Sequence, residues 1–173
     1  LPVVPYITVR KHNFNSEQKI KKTINDIQQK FSYPVFVKPC CAGSSVGASK
    51  ANDKTSLEKA ILEAFKWDDK ILIEECVNAR EIECSVTGND NPVAYIPGEI
   101  APTHEFYDYD AKYTDPNGAS LLIPANLDEK TIKQVQTIAV QAYKSLDASG
   151  LSRVDFFLDK NSGKLMLNEI NTM

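Results

Sequence analysis

The sequence predicts an α+β fold in which helices cover a largely antiparallel sheet. Three segments place apolar residues at helical spacing, which is typical of amphipathic helices that pack on a core. Two other regions, 71–96 and 151–173, contain short strand patterns joined by turns rich in Gly, Asn and Asp. Strands that follow one another through such short turns pair antiparallel, and this order places the chain in the α+β class.

The composition is that of an ordinary globular protein. The 173 residues are 42% hydrophobic and 25% charged, enough for a domain with a substantial core. A net charge of −3 predicts no nucleic-acid partner, and the absence of a long apolar run or a leader pattern predicts no membrane association. The cysteines lack the CxxC spacing of a zinc site, and we expect them to be free thiols in a reducing cytoplasm. They are Cys40, Cys41, Cys76 and Cys84.

The first part of the chain alternates strand and helix patterns. We expect a strand over Val3–Val9 and a helix over Asn15–Phe31, which Asn15 can cap with Gln18 three residues later. A short apolar strand follows at Val35–Lys38 and ends in a lysine.

A loop of small residues, 39–50, follows this lysine and contains two glycines and three serines. Such a loop lets backbone N–H groups approach an anion closely, and Lys38 could supply a point charge for phosphate. The loop is neither a Walker A sequence nor a GxGxxG motif. An ordinary glycine-serine turn is the simpler interpretation of this pattern when it is taken alone.

The next segment combines a helix with a meander. Thr55–Trp67 is predicted to be a helix with a capping box between Thr55 and Glu58. The strand Ile71–Ile73 runs into two glutamates, and Glu81–Val86 and Pro92–Ile96 are the next predicted strands. Adjacent glutamates at a strand end are usually solvated. The functional alternative is a nucleotide hinge, where the backbone of 75–77 reads the adenine edge and a glutamate holds the ribose.

Two further segments precede the C-terminal hairpin. The tyrosine-rich stretch 104–118 has no clean period, and we expect a long ordered loop, which is uncommon in a compact domain and is often functional. A mobile surface loop is the alternative. The longest helix is predicted over Asp128–Leu146.

The C-terminal hairpin carries the chemistry that the residues themselves suggest. Because side chains alternate along a strand, Arg153 and Asp155 share one face of the first strand, and Glu169 and Asn171 share one face of the second. If the strands pair, these groups converge. Two carboxylates and an amide suit Mg²⁺, which leaves the rest of its shell to water and phosphate. A half-buried hairpin with a solvated polar face is the alternative interpretation.

Five phrases in this order and at this spacing resemble one family. They are FVKPCCAGSSVGASK, IEECVNAREIECSV, EFYDYDAKYTDPNG, GLSRVDFF and LNEINTM. The chain resembles the ATP-grasp part of D-alanine–D-alanine ligase over essentially its whole length. The resemblance implies an ATP-grasp fold with nucleotide between two subdomains, 1–78 and 79–173. It also implies an enzyme that joins two D-alanines through an acylphosphate, for peptidoglycan precursor synthesis in a bacterial cytoplasm.

The resemblance implies a set of nucleotide-binding residues. Lys38 matches the lysine that contacts the phosphates of ATP. The loop that closes over those phosphates contains Gly43, Ser44, Ser45 and Val46. Glu74, Glu75 and Val77 match the adenine-binding hinge, and Glu81 matches the glutamate that binds the ribose.

The resemblance also implies catalytic and metal-binding residues. Ser44 and Tyr113 match residues that organise the second D-alanine site, and Lys112 matches a lysine near the transferring phosphate. Arg153 matches the arginine that stabilises the tetrahedral species. The implied ligands of two Mg²⁺ ions, which Mn²⁺ could replace, are Asp155, Glu169 and Asn171, with Glu169 bridging.

The chain also departs from the family pattern. Cys40, Cys41 and Ala42 replace a more polar run in the glycine loop. The family's N-terminal domain, an upstream lysine and a later Pro-Gly segment are missing between Leu1 and Met173, so we expect part of a longer protein that is inactive by itself. The resemblance implies a homodimer for the full-length protein.

Three alternatives remain at this stage. A resistance-type ligase would make D-alanyl-D-lactate or D-alanyl-D-serine, although the lactate-forming type is expected to replace Tyr113, typically by histidine. Another ATP-grasp carboxylate–amine ligase is the second alternative. A non-catalytic nucleotide-binding module is the third, and the retained set of Asp155, Glu169 and Asn171 argues against it, because such a module has no need of metal ligands.

Overall fold

The computed structural model of the chain describes residues 1–102 and 119–173. The predicted loop 104–118, with Lys112 and Tyr113, lies outside the described residues. The described chain divides into two compact units, one of residues 5–76 and one of residues 1–4, 77–102 and 119–173. In these ranges, none of the helices combines the length and hydrophobicity needed to cross a membrane.

The unit of residues 5–76 is a four-stranded antiparallel sheet with two helices on one face. Its strands run in the order β1-β4-β2-β3. The elements are β1 Tyr6–Arg10, a 3₁₀ turn Lys11–Asn13, α1 Glu17–Lys30, β2 Val35–Pro39, β3 Ser49–Ala51, α2 Lys54–Ala64 and β4 Lys70–Glu75. Ile24 and Ile61 pack from the helices against Val37 and Ile73 of the sheet. The opposite face carries Lys38.

Both predicted helix starts in this unit are wrong by one or two residues. Ser16, rather than Asn15, caps α1 by accepting a hydrogen bond from the backbone N–H of Lys19 at 3.4 Å. Asn15 instead accepts from the Lys19 ammonium. Asp53, rather than Thr55, caps α2 and forms the capping box with Ser56 at 2.7 Å, because its carboxylate is a strong acceptor for an N-terminal N–H.

The second unit is a six-stranded antiparallel sheet covered by one long helix. The path of its strands is β10-β9-β5-β7-β8, and β6 pairs with β5. The elements are β5 Ala79–Gly88, β6 Val93–Ala94, β7 Gly98–Pro102, β8 Ala119–Leu122, α3 Glu129–Ser145, β9 Gly150–Asp159 and β10 Leu165–Thr172. Val135 and Tyr143 of α3 pack on Ile82, Val86 and Phe156. The predicted α+β class with antiparallel sheets is confirmed.

The strands β7 and β8 were not predicted, and an ion pair explains how β7 is held. Arg80 donates from Nε and Nη2 to the carboxylate of Glu99 at 2.8 and 2.6 Å, and from Nη2 to the carbonyl of Asn126 at 2.9 Å. Glu99 is only 8% exposed. These hydrogen bonds tie β5, β7 and the segment before α3 together on the helix-covered side of the sheet.

Candidate functional site

In the unit of residues 5–76, Lys38 lies on the face that the helices leave open. Alternate residues of β2 are buried against the helices, so Lys38 points the other way. Its Nζ lies 2.8 Å from Oε2 of Glu74, and the two side chains are 20% and 10% exposed. The pair holds the ammonium at the end of β2, where the glycine loop begins.

The glycine loop connects β2 to β3 and is folded by two internal turns. The N–H of Val46 donates to the carbonyl of Gly43, and the N–H of Ala48 donates to that of Ser45, both at 3.1 Å. Ser44 and Ser45 have φ angles of 55° and 60°, in the left-handed region that non-glycine residues rarely adopt. Such local strain is concentrated at ligand-binding segments, which is consistent with a loop shaped to present backbone groups.

The predicted hinge residues differ in their surroundings. Glu74 is nearly buried and its carboxylate pairs with Lys38, whereas the side chain of Glu75 is exposed. The N–H of Glu75 already donates to the carbonyl of Pro5 at 3.1 Å. Val77 and Glu81 belong to the second unit and are both half-buried.

The predicted C-terminal hairpin is present, with longer strands than the sequence indicated. β9 and β10 pair antiparallel, with Asp155 opposite Glu169 and Arg153 opposite Asn171. All four predicted residues therefore meet in two cross-strand pairs, with the pair of Val154 and Ile170 between them.

A β-bulge at Asn168 puts the polar residues of β10 on the same face as Arg153 and Asp155. Before the bulge the core-facing residues of β10 are odd-numbered, Leu165 and Leu167. Beyond the bulge the even-numbered Ile170 faces the core instead. The extra residue flips the alternation, so Glu169 and Asn171 leave the core face.

Arg153 is the centre of the hydrogen bonding on this face. It donates from Nε and Nη2 to both carboxylate oxygens of Asp155 at 2.8 and 2.7 Å. Asn171 donates to Asp155 at 2.9 Å. Hydrogen bonding to Asp155 raises the pKa of Arg153, so the guanidinium stays a fixed cation. Burial raises the pKa of Asp155, and the guanidinium works against that rise.

Sequence reasoning missed Glu83 as a member of this site. Glu83 lies opposite Asp155 on β5, and its Oε1 is 3.3 Å from Nε of Arg153. Glu83, Asp155 and Glu169 thus occupy one row across three strands. The strict alternation of 81–86 was the available signal, because it puts Glu81 and Glu83 on one face.

The donors on this face fit a magnesium ion by their chemistry. Two carboxylates and an amide are hard oxygen ligands of the kind that Mg²⁺ takes. In the described residues, no three His, Cys, Asp or Glu side chains are grouped closely enough to hold a metal ion. Arg153 and Asn171 already make three hydrogen bonds to Asp155, so a metal ion would compete with them for its oxygens.

Comparison with known proteins supports the resemblance seen in the motifs. The family model described as "D-ala D-ala ligase C-terminus" matches residues 1–173. The D-alanine–D-alanine ligase of Treponema denticola is 55% identical over 173 residues, covering 100% of this chain and 47% of its own. The chain spans about half the length of the curated relatives it matches.

Solved structures give the same result for the fold. The VanG D-Ala:D-Ser ligase from Enterococcus faecalis is similar with a TM-score of 0.84 at 35% identity, over 99% of this chain and 48% of that one. The D-alanine-D-alanine ligase from Coxiella burnetii gives 0.76 at 34%, over 99% and 43%. The predicted ATP-grasp fold is confirmed by these likenesses.

Proposed function

The chain belongs to the D-Ala–D-Ala ligase C-terminus family, and on that premise we propose that it is the ATP-binding part of an enzyme that joins two D-alanines. The product would be a peptidoglycan precursor made in a bacterial cytoplasm, and the full-length enzyme would be a homodimer. The observation that carries the proposal is the network of Arg153, Asp155 and Asn171. A structural sheet has no need to hold a nearly buried carboxylate, an arginine and an amide on one face.

The proposed reaction has two steps, and this chain supplies fixed charges to both. In the first step, a carboxylate oxygen of one D-alanine attacks the γ-phosphorus of ATP, and ADP leaves. Phosphoryl transfer needs mainly positioning and charge neutralisation, and Lys38 and the glycine loop would contact the phosphates. Glu74, Glu75 and Val77 would bind the adenine and Glu81 the ribose.

In the second step, the amine of the other D-alanine attacks the acylphosphate carbonyl carbon. The tetrahedral species carries an oxyanion, phosphate leaves, and the nitrogen loses a proton. Arg153 would stabilise the oxyanion, because its charge is fixed before the reaction begins. Ser44 and Tyr113 would organise the second D-alanine, and Lys112 would lie near the transferred phosphate. Excluding water from the acylphosphate would be the role of loop 104–118.

Magnesium would be held by Asp155, Glu169 and Asn171 and would neutralise charge on the phosphates. Glu169 is the exposed member of this set and is not among the described partners of Arg153 within hydrogen-bond distance. Glu169→Gln should therefore abolish Mg²⁺-dependent nucleotide binding and leave the hairpin folded. Calorimetric titration of ADP with and without Mg²⁺ measures this, and unchanged binding would refute the metal role.

The decisive assay is phosphate release from ATP by a polypeptide of the relatives' length that includes this chain. D-Alanine, D-serine and D-lactate are each supplied as second substrate. We expect phosphate release with D-alanine as the second substrate and none with D-serine or D-lactate. If none of the three produces phosphate release in a protein that still binds ATP, the proposal is overturned in favour of a non-catalytic module.

A second candidate is a ligase that makes D-alanyl-D-serine. The specific observation in its favour is the likeness to the VanG D-Ala:D-Ser ligase, with a TM-score of 0.84. Its identity to this chain is 35%, whereas the Treponema denticola D-alanine–D-alanine ligase reaches 55%. Preference for D-serine in the same assay would decide for this candidate.

A further inference from the structure

The turn between α2 and β4 is hydrogen-bonded to Cys40 and Cys41, where the glycine loop leaves β2. Oδ2 of Asp68 accepts hydrogen bonds from the backbone N–H groups of Cys40 and Cys41, at 3.0 and 2.8 Å. Oδ1 of the same carboxylate accepts from the N–H of Lys70 at 3.0 Å. One side chain therefore joins the first two loop residues to the start of β4.

This turn is itself fixed to the hydrophobic core. The N–H groups of Trp67 and Asp68 both donate to the carbonyl of Ala64, at 3.1 and 3.2 Å. Ala64 is fully buried at the end of α2, among the core residues of this unit. The position of Asp68 is therefore set by a packed helix rather than by the loop that it holds.

The neighbouring residue contacts the other end of the loop. A Cβ placed on Gly47 would lie 2.5 Å from Cδ1 of Trp67 and 3.0 Å from Cγ of Pro39, so the backbone of Gly47 lies directly against the indole ring. Gly47 also has a φ of 70°, which a residue with a side chain rarely adopts. Trp67 and Asp68 thus contact the two ends of the loop and leave the tip, Ser44 and Ser45, between them.

The electrostatics agree with an anchoring role for the carboxylate. Burial favours the neutral acid, but the backbone N–H groups of Lys70, Cys41 and Cys40 outweigh it and lower the pKa of Asp68. The carboxylate is therefore ionised at neutral pH. Hydrogen bonds to a charged acceptor are stronger than those between neutral groups.

We propose that Asp68, supported by Trp67, is a positioning residue that sets the glycine loop for the phosphates of the nucleotide. This proposal rests on the proposed function, since it assumes that the loop meets ATP. Asp68 touches no substrate in this scheme. It fixes the two N–H groups from which the loop departs, and so limits the conformations in which the loop can meet a phosphate.

The test compares Asp68→Asn with Asp69→Asn, its matched control. Asp69 is the adjacent carboxylate and is exposed, with its Oδ1 3.4 Å from the ammonium of Lys11. Both variants lose one negative charge next to the same turn. A third variant, Asp68→Glu, keeps the carboxylate and should restore part of what Asp68→Asn loses.

Two measurements separate anchoring from a general loss of stability. Amide hydrogen exchange at Cys41 should accelerate in Asp68→Asn, and less so at Cys40, whose N–H also donates to the carbonyl of Lys70 at 3.1 Å. Exchange at Ile73 in the core of β4 should not change. Affinity for a non-hydrolysable ATP analogue should fall about tenfold, the size of losing one hydrogen bond to a charged group. Affinity for adenosine, which has no phosphate, should not change, and Asp69→Asn should match the unsubstituted chain in every measurement.

Each other outcome contradicts a different part of the reasoning. Faster exchange in Asp68→Asn with full affinity for the ATP analogue would show that Asp68 anchors the loop but does not position it for phosphate, and would overturn the proposal. Unchanged exchange would show that Asp68 does not anchor the loop. If the unsubstituted chain binds neither probe, the proposed function fails and the positioning role fails with it, whereas the exchange rates still show whether Asp68 holds the loop.

Discussion

The ion pair between Lys38 and Glu74 allows the proposed phosphate-binding role of the lysine to be separated from its structural role. The change to make is Lys38→Met, which keeps the length of the side chain and removes its charge. Glu74, 10% exposed, then loses the ammonium 2.8 Å away. Breaking a fully buried pair costs about 3–5 kcal/mol and an exposed pair about 0–1 kcal/mol. Since this pair lies between those limits, we expect the free energy of unfolding to fall by about 2 kcal/mol.

The double variant Lys38→Met, Glu74→Gln provides the control. With no charge left in the pair, most of the lost stability should return, because a neutral amide is far easier to bury than a lone carboxylate. Nucleotide affinity should stay at least about tenfold weaker in both variants, since the lysine–phosphate contact is absent from both. Urea denaturation gives the stability and calorimetric titration of ADP gives the affinity. Full affinity in the double variant would refute the phosphate role of Lys38, and Lys66→Met controls for losing a surface lysine.

Three further predictions follow from the other unit. Deletion of Asn168 removes the extra residue, so Glu169 follows Leu167 in regular alternation and stays opposite Asp155. Mg²⁺-dependent nucleotide binding, measured by titration, should therefore be kept in this variant, and its loss would contradict the register. Glu99→Gln should destabilise the protein by about 2 kcal/mol at pH 7, because the hydrogen bonds from Arg80 lower the pKa of Glu99. The stabilisation by Glu99 is fully present above the pKa that this carboxyl has in the unfolded chain, and it is lost as pH falls through the lower pKa of the folded state. Urea denaturation should therefore give the two proteins similar free energies of unfolding below about pH 4. Burial raises the pKa of Cys84 to about 11, so a thiol reagent at pH 8 should modify exposed Cys41 quickly and Cys84 only after unfolding.

The helices and the hairpin could be predicted because their signals are local. Apolar spacing located all three helices, and alternation placed Arg153 with Asp155 and Glu169 with Asn171. The exact helix starts do not follow from such signals, since several polar residues near each start can accept an N–H and only the folded backbone selects one. Asp53 was selected over Thr55 in this way.

The remaining features depend on partners that are distant in the chain. β7 is a short strand between two prolines, and it is held by an arginine 19 residues earlier. The bulge at Asn168 depends on the register against β9, which the strand's own sequence does not reveal. The contacts of Asp68 with Cys40 and Cys41 span 28 and 27 residues and involve backbone groups, so no side-chain pattern could indicate them.

The same arrangement of charges recurs in both units. The cation proposed to meet phosphate, Lys38, lies against Glu74, and the cation proposed to meet the oxyanion, Arg153, lies against Asp155. An unpaired charge near the protein interior is costly, so each group is paired within its own unit before any ligand arrives. Ligand binding then exchanges one set of charge contacts for another. For Arg153 the exchange has a direction: a divalent cation on Asp155 would compete with the guanidinium for the same two oxygens, and the freed donors of Arg153 would become available to an anion. The proposed binding of metal and the proposed readiness of the arginine for the oxyanion would therefore be coupled through a single carboxylate.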